Sequence, residues 1–184
     1  MKQHQPHRTE LLKRCERGDS EAQFKVYEQY YKAMFNAAYR ILGDRFEAED
    51  IMQESFLAAF TKLNTFSGDV SFGAWLKRIV VNRSLTALKK NSKLQMTSLE
   101  VVQEQKFEQE TVDYSVLNVT DLKSALEVLK SNYKVALTLN LIEGYDAEEI
   151  SQIMDISYEN SRTMISRAKN KLREVLAQKI CKAN

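Results

Sequence analysis

The chain has 184 residues, 43% hydrophobic and 28% charged, enough for one ordinary domain or two small ones and too apolar for a disordered polymer. Five glycines and a single proline, Pro6, leave most of it free of helix breakers, which predicts an all-α protein. The net charge of +2 is unevenly spread: residues 1–95 carry 16 basic and 11 acidic side chains, residues 96–119 one and five, residues 120–184 ten and nine, so local patches and not the total choose the partners.

The chain opens on a polar stretch, residues 1–19, with His4, Pro6 and His7, read as a tail. Cys15 and Cys181 stand near opposite ends without a CxxC or Cys/His cluster. That indicates free thiols, with no disulfide framework and no metal site. No apolar run reaches the length of a membrane span and no signal peptide is visible, so the expected place is the cytoplasm. No cofactor is expected.

Ser20 with Gln23 has the pattern of a capping box. Behind it Phe24, Tyr27, Tyr31, Met34, Ala38 and Ile41 recur at helical spacing up to Gly43, a natural stop. This predicts one long helix over 21–42 with that stripe in the core. Asp44 then caps a second helix, with Glu47 three residues on and an apolar stripe of Met52, Phe56, Ala59 and Leu63. Glu47, Asp50 and Glu54 share another face, with Gln53 beside them. Carboxylates near a helix N-terminus suit its dipole; that accounts for Glu47 better than for Glu54. An acidic face on a basic domain points to a basic protein partner, since DNA would be repelled there.

Residues 66–93 follow: a Gly-containing loop flanked by Phe66 and Phe72, then a helix with the only Trp, Trp75. No acidic residue occurs from 70 to 99, whereas Lys77, Arg78, Arg83, Lys89, Lys90 and Lys93 do. Aromatics beside a one-signed basic helix suit an opened nucleic-acid strand: cations meet phosphates, and a pocket or aromatic face takes a base that has left the stack. The plain alternative is a solvated basic helix with core aromatics. The spacing of Trp75 and Ile79 turns Trp75 inward. Asn82 has bidentate capacity for a base, or caps a neighbour.

Residues 96–119 show no helical stripe and read as an acidic interdomain linker. It is either a solvated spacer or a set of carboxylates imitating a nucleic-acid backbone. Helices are then predicted over 121–130 and 133–143, the latter stopped by Gly144. Asp146 and Glu149 form a capping box for a third, with Ala147, Ile150, Ile153 and Met154 on its apolar side. Asp155-Ile156-Ser157 is a tight turn, and Ser157 caps a last helix over about 158–178. This is helix-turn-helix spacing. Ser161, Ile165, Ala168, Leu172 and Leu176 make its buried stripe; Arg162, Ser166, Lys169 and Arg173 line an adjoining face. Polar and cationic groups near such an N-terminus fit the major groove, where Arg bonds guanine and Asn adenine. An ordinary amphipathic helix with a solvated basic face would show the same stripe.

The runs Ala37-Ala-Tyr-Arg-Ile-Leu-Gly-Asp44, Ala48-Glu-Asp-Ile-Met-Gln-Glu-Ser-Phe56, Phe72-Gly-Ala-Trp-Leu-Lys-Arg-Ile79 with Asn82, Glu149-Ile-Ser, Ile156-Ser and Ser166-Arg-Ala-Lys-Asn-Lys-Leu-Arg173 together resemble the extracytoplasmic-function sigma factors of bacterial RNA polymerase. The likeness covers residues 24–176. It implies a region 2 domain over 20–95, the linker over 96–119 and a region 4 helix-turn-helix domain over 120–184. It further implies that Asp50, Gln53 and Glu54 dock on the clamp coiled coil of core polymerase, and that the second domain meets the polymerase flap. The −10 element would be opened by Phe66, Ser67, Phe72, Lys77, Arg78, Asn82, Arg83, Lys89 and Lys90, the loop over 64–73 capturing a flipped base. The −35 duplex would be read by Tyr158, Glu159, Asn160, Arg162, Thr163, Ser166, Arg167 and Lys169. An anti-sigma protein covering both DNA faces is the implied regulator. Thr86 and Lys89 stand where the family often has Asp and Arg, Ser131-Asn132 where a Pro is common, and Asn160-Ser161 and Met164 where Thr-Val and Arg are more frequent. These departures bear on which promoter is read. A stand-alone helix-turn-helix repressor would need a dimerisation face, and none is evident. An enzyme acting on nucleic acid would need a nucleophile–base set, a phosphate loop or metal ligands, and none is found.

Overall fold

The computed structural model describes residues 9–90 and 118–183. Expectations for His4, Pro6, His7, Lys93 and the linker over 96–117 lie outside the described residues, as does the side chain of Cys181. The chain divides into two compact units, residues 1–91 and 92–184, and the described elements are helical.

The first unit starts earlier than the sequence suggests. Where a tail is expected, α1 (Glu10–Glu16) forms, capped by Thr9, whose side chain accepts from the Leu12 N–H. Leu12 and Cys15 are buried. A seven-residue helix is too short to persist alone; burial of these two side chains and packing against α2 hold it. α2 runs from Ser20 to Leu42. Its cap is Asp19, not Ser20: Asp19 Oδ1 accepts from the Ala22 N–H at 3.1 Å while Arg14 Nε donates to Asp19 Oδ2 at 2.7 Å. The expected Gln23 partner is also displaced, since Gln23 Nε2 donates to the Cys15 carbonyl at 3.2 Å. Gly43, at φ +76°, ends the helix in the left-handed region that glycine enters at least cost.

α3 (Arg45–Thr61) is capped by Asp44, which accepts from the Glu47 N–H at 2.9 Å as expected. Ser71 caps α4 (Phe72–Lys90) by accepting from the Ala74 N–H at 3.2 Å. The core gathers where α2, α3 and α4 meet. Met34, Ala37, Ala38 and Ile41 come from α2, Met52, Phe56 and Ala59 from α3, and Leu76, Val80, Val81, Leu85 and Leu88 from α4. The predicted α2 stripe is rotated at its start: Phe24 is 58% exposed and Val26 is buried in its stead.

The second unit begins with α5 (Val119–Glu127), held by a capping box between Asn118 and Asp121; the helix thus reaches into the predicted linker. α6 (Ser131–Leu137) continues as a π-turn, Thr138–Ile142, in which the Glu143 N–H bonds the Thr138 carbonyl at 3.0 Å. α7 (Ala147–Met154) carries the predicted box: Asp146 accepts from the Glu148 and Glu149 N–H groups at 2.8 Å, and Glu149 accepts from the Asp146 N–H at 3.0 Å. Asp155, left-handed at φ +59°, turns the chain, and α8 (Tyr158–Ala183) outlasts its predicted end. Its stripe of Ser161, Ile165, Ala168, Leu172 and Leu176 is buried as read, the last three against Ala125, Leu129 and Leu137.

Candidate nucleic-acid and partner interfaces

In the first unit, α3 presents Asp50, Gln53 and Glu54 on one exposed face. They stand there because Ala48, Met52, Ser55, Phe56 and Ala59 take the opposite side into the core. Glu47, nearer the cap, is half-buried. The shared face is acidic but has no metal geometry: among the described residues no group of three His, Cys, Asp or Glu side chains could hold an ion.

The loop before α4 differs from expectation in one respect. Phe66 and Phe72 are buried, 2% and 5% exposed. Their rings meet edge to face at 5.8 Å, Trp75 lies 5.2 Å from Phe66 and 5.7 Å from Phe72, and Tyr30 lies 5.5 Å from Phe72. Four rings so placed form a core cluster, and neither phenylalanine offers a face to a base. They anchor the loop from below. Gly73 is required by the same cluster, because a Cβ there would come within 2.8 Å of Tyr30 Cε1. What the loop exposes is mostly polar: Ser67, whose hydroxyl donates to Asp69 Oδ2 at 2.6 Å, with Asn64, Thr65 and Ser71; Val70, 51% exposed, is the apolar exception.

Along α4 the predicted cations keep to the solvent side. Arg78, Asn82, Lys89 and Lys90 are exposed; Lys77 and Arg83 are half-buried. Burial of Leu76, Val80, Ser84 and Leu88 on one side leaves them no other. Arg83 Nη1 also donates to Glu54 Oε2 at 2.8 Å, so the basic helix and the acidic face of α3 share a seam.

In the second unit the first turns of α8 carry the predicted reading residues. Tyr158, Glu159, Arg162 and Ser166 are exposed; Asn160, Thr163, Arg167 and Lys169 are half-buried. Ser157 accepts from the Asn160 N–H at 3.2 Å, which starts the helix, and the Arg162 guanidinium lies 5.7 Å from the Tyr158 ring centroid. That contact holds a long cation in place ahead of any ligand. Arg162, Ser166, Lys169 and Arg173 line an open cleft of about 430 Å³, together with Asn140. Sequence spacing alone misses Asn140: the π-turn puts it there, and its Nδ2 donates to the Tyr145 carbonyl at 2.9 Å. Such a cleft, cationic and amide-lined on a helix-turn-helix, suits phosphates and base edges. Among the described residues no helix is long and apolar enough to cross a membrane.

Comparison with known proteins divides along the same line. Residues 26–94 match the family model for Sigma-70 region 2, and residues 120–172 that for Sigma-70 region 4. The ECF RNA polymerase sigma factor SigW of Bacillus subtilis is 27% identical, over 90% of this chain and 94% of its own length. The ECF RNA polymerase sigma factor SigE of Mycolicibacterium smegmatis is 27% identical over 84% of this chain but only 61% of that longer relative. Among solved structures, the sigma factor RpoE in complex with the anti-sigma factor NepR from Bartonella quintana superposes with a TM-score of 0.57 at 23% identity, over 83% of this chain and 94% of that one. One model falls on each structural unit, in the family's order, and the chain belongs to the sigma-70 family, in its extracytoplasmic-function group.

Proposed function

We propose that this protein is a promoter-specificity subunit: it joins core RNA polymerase, opens the −10 element with its first unit and holds the −35 duplex with its second. The observation that carries this is the coincidence of the two family matches with two units that bear different surfaces, one acidic with a basic helix beside it, the other a cationic helix-turn-helix. Sigma factors initiate transcription and are not enzymes. A stand-alone helix-turn-helix regulator would leave the region 2 match over 26–94 without a use.

On this reading Asp50, Gln53 and Glu54 dock on the polymerase clamp coiled coil, and the second unit meets the flap. Lys77, Arg78, Asn82, Arg83, Lys89 and Lys90 follow the displaced strand, and the residues from Tyr158 to Lys169 enter the major groove. Unstacking a base costs a few kcal/mol, which a shaped site offsets only for the right base; melting is thereby tied to sequence. The protein would work in the cytoplasm, where its polymerase is, held inactive by an anti-sigma protein. A sigma factor–anti-sigma complex of the same fold supports that regulation. Purified protein mixed with core polymerase tests the reading: a stable complex that starts transcripts at defined sites is expected. Asp50→Lys should weaken that complex by reversing a charge on the docking face. Failure of the wild-type protein to bind core polymerase would refute the function; normal binding by Asp50→Lys would refute the docking face.

A further inference from the structure

The two most exposed large apolar side chains described in the first unit lie on the same helix. Phe46 is 79% exposed and Leu57 69% exposed, both on α3. Eleven residues separate them, three turns and about 16 Å along the axis at 1.5 Å per residue, and at 100° per residue they point the same way within about 20°. Asp50, Gln53 and Glu54 lie between them on that side, all exposed. The helix therefore has one buried side and one outer side that is apolar at both ends and acidic in the middle.

Single exposed hydrophobes are ordinary. Two at the ends of one acidic stripe are a pattern, and its chemistry selects the partner. A nucleic acid would be repelled by the Asp50 and Glu54 carboxylates. A membrane surface is disfavoured for the same reason, because anionic headgroups would meet those acids. A protein helix with cations in its middle and apolar side chains on either side would satisfy all the positions at once.

We propose that Phe46 and Leu57 are the apolar anchors of the docking face, clamping a helical surface of core polymerase at two points while the acids between them set its register. This rests on the reading of α3 as the polymerase-docking helix and adds a division of labour to it. Desolvated apolar anchors govern how slowly a complex dissociates, whereas exposed charges govern how fast and how selectively it forms. The two contributions differ in their response to salt, since only the charged one is screened.

The test uses the full chain and core polymerase. Affinities of wild type, Phe46→Ala, Leu57→Ala, the double variant and Asp50→Asn are measured at low and at high salt. Each apolar truncation should weaken the complex by on the order of 10-fold, mainly through faster dissociation, by the same factor at both salts. The Asp50→Asn defect should shrink as salt rises. Thermal unfolding of the apolar variants should match wild type, because both side chains are largely in water already. Wild-type affinity in the double variant, with Asp50→Asn still defective, overturns the inference and leaves the docking reading standing. Loss of binding that fades with salt in the apolar variants overturns it too. A wild-type protein that does not bind core polymerase removes both.

Discussion

Arg83 Nη1 lies 2.8 Å from Glu54 Oε2, across 29 residues of chain. The pair joins α4, proposed to follow the displaced strand, to α3, proposed to dock on polymerase. With side chains 39% and 59% exposed, it contributes at most about 1 kcal/mol to stability. Its weight lies in which charge is occupied: while Glu54 holds Arg83, that guanidinium is partly neutralised toward phosphate. Glu54→Gln should therefore raise the affinity of the isolated protein for a single-stranded −10 oligonucleotide at low salt. One added phosphate contact would steepen the log–log salt dependence by about 0.7. Equal affinity and slope in both proteins would place Arg83 off the strand's path.

Phe66→Ala should behave as a core mutation. The ring is 2% exposed and packed against Phe72 and Trp75, so its removal should cost about 3–5 kcal/mol and lower the melting temperature of the first unit. A variant that melts like wild type yet fails to open a −10 element would return the ring to the DNA.

The Ser161 hydroxyl is fully buried with no hydrogen-bond partner. An unsatisfied buried polar group costs about 1–3 kcal/mol, against a few tenths for placing a β-branched residue in a helix. Ser161→Val should raise the unfolding free energy of the second unit by about 1 kcal/mol in denaturant titration. A destabilised variant would mean that the site has no room for the second methyl.

Arg162→Ala should weaken −35 duplex binding by on the order of 1–3 kcal/mol and leave polymerase binding intact. In vitro transcription from promoters with and without a −35 element measures it. The same output from both promoter types, relative to wild type, would exclude Arg162 from duplex reading.

Acid should loosen the joint between α1 and α2. The Asp19 carboxyl is held below the ordinary carboxylate range, first by the hydrogen bond from Arg14 and then by the Ala22 N–H. The Glu21 carboxyl is likewise lowered, chiefly by Lys25. The folded state thus binds these protons less tightly than the unfolded one. The stabilisation is complete above the ordinary carboxylate range and drains away as pH falls through and below it. Asp19→Asn keeps a capping oxygen but loses the charge, so it should flatten the fall in stability between about pH 5 and pH 2. An acid limb as steep as in wild type would clear Asp19 of that role.

Much of this was legible in the residues. Asp44 with Glu47, Asp146 with Glu149, and the α8 stripe from Ser161 to Leu176 are local patterns, and local patterns survive folding. The α2 cap was missed by one position because Asp19 and Ser20 are both good caps, and only the pull of Arg14 separates them. α1 was missed because a helix that short has no signature without the neighbour it packs on. Phe66 and Phe72 were misplaced for a different reason: aromatics beside a Gly-containing loop look alike whether they face a base or a core, and the contact with Tyr30 that decides it is distant in sequence. The π-turn leaves no periodic mark, so Asn140 could not be assigned to the cationic cleft. Phe46 and Leu57 were visible as letters, but their exposure is a property of the packed unit.

α8 runs unbroken from Tyr158 to Ala183. Leu172 and Leu176 bed it among Ala125, Leu129 and Leu137, and Arg162 sits about 15 Å from the first and about 21 Å from the second along the same rod, at 1.5 Å per residue. Because the stripe is buried from Ser161 to Leu176, a shift of the rod at its far end is passed along it to the turn that carries Arg162. On the proposed function, trimming a leucine on the buried side of α8 would retune promoter preference without altering any of the side chains assigned to reading it.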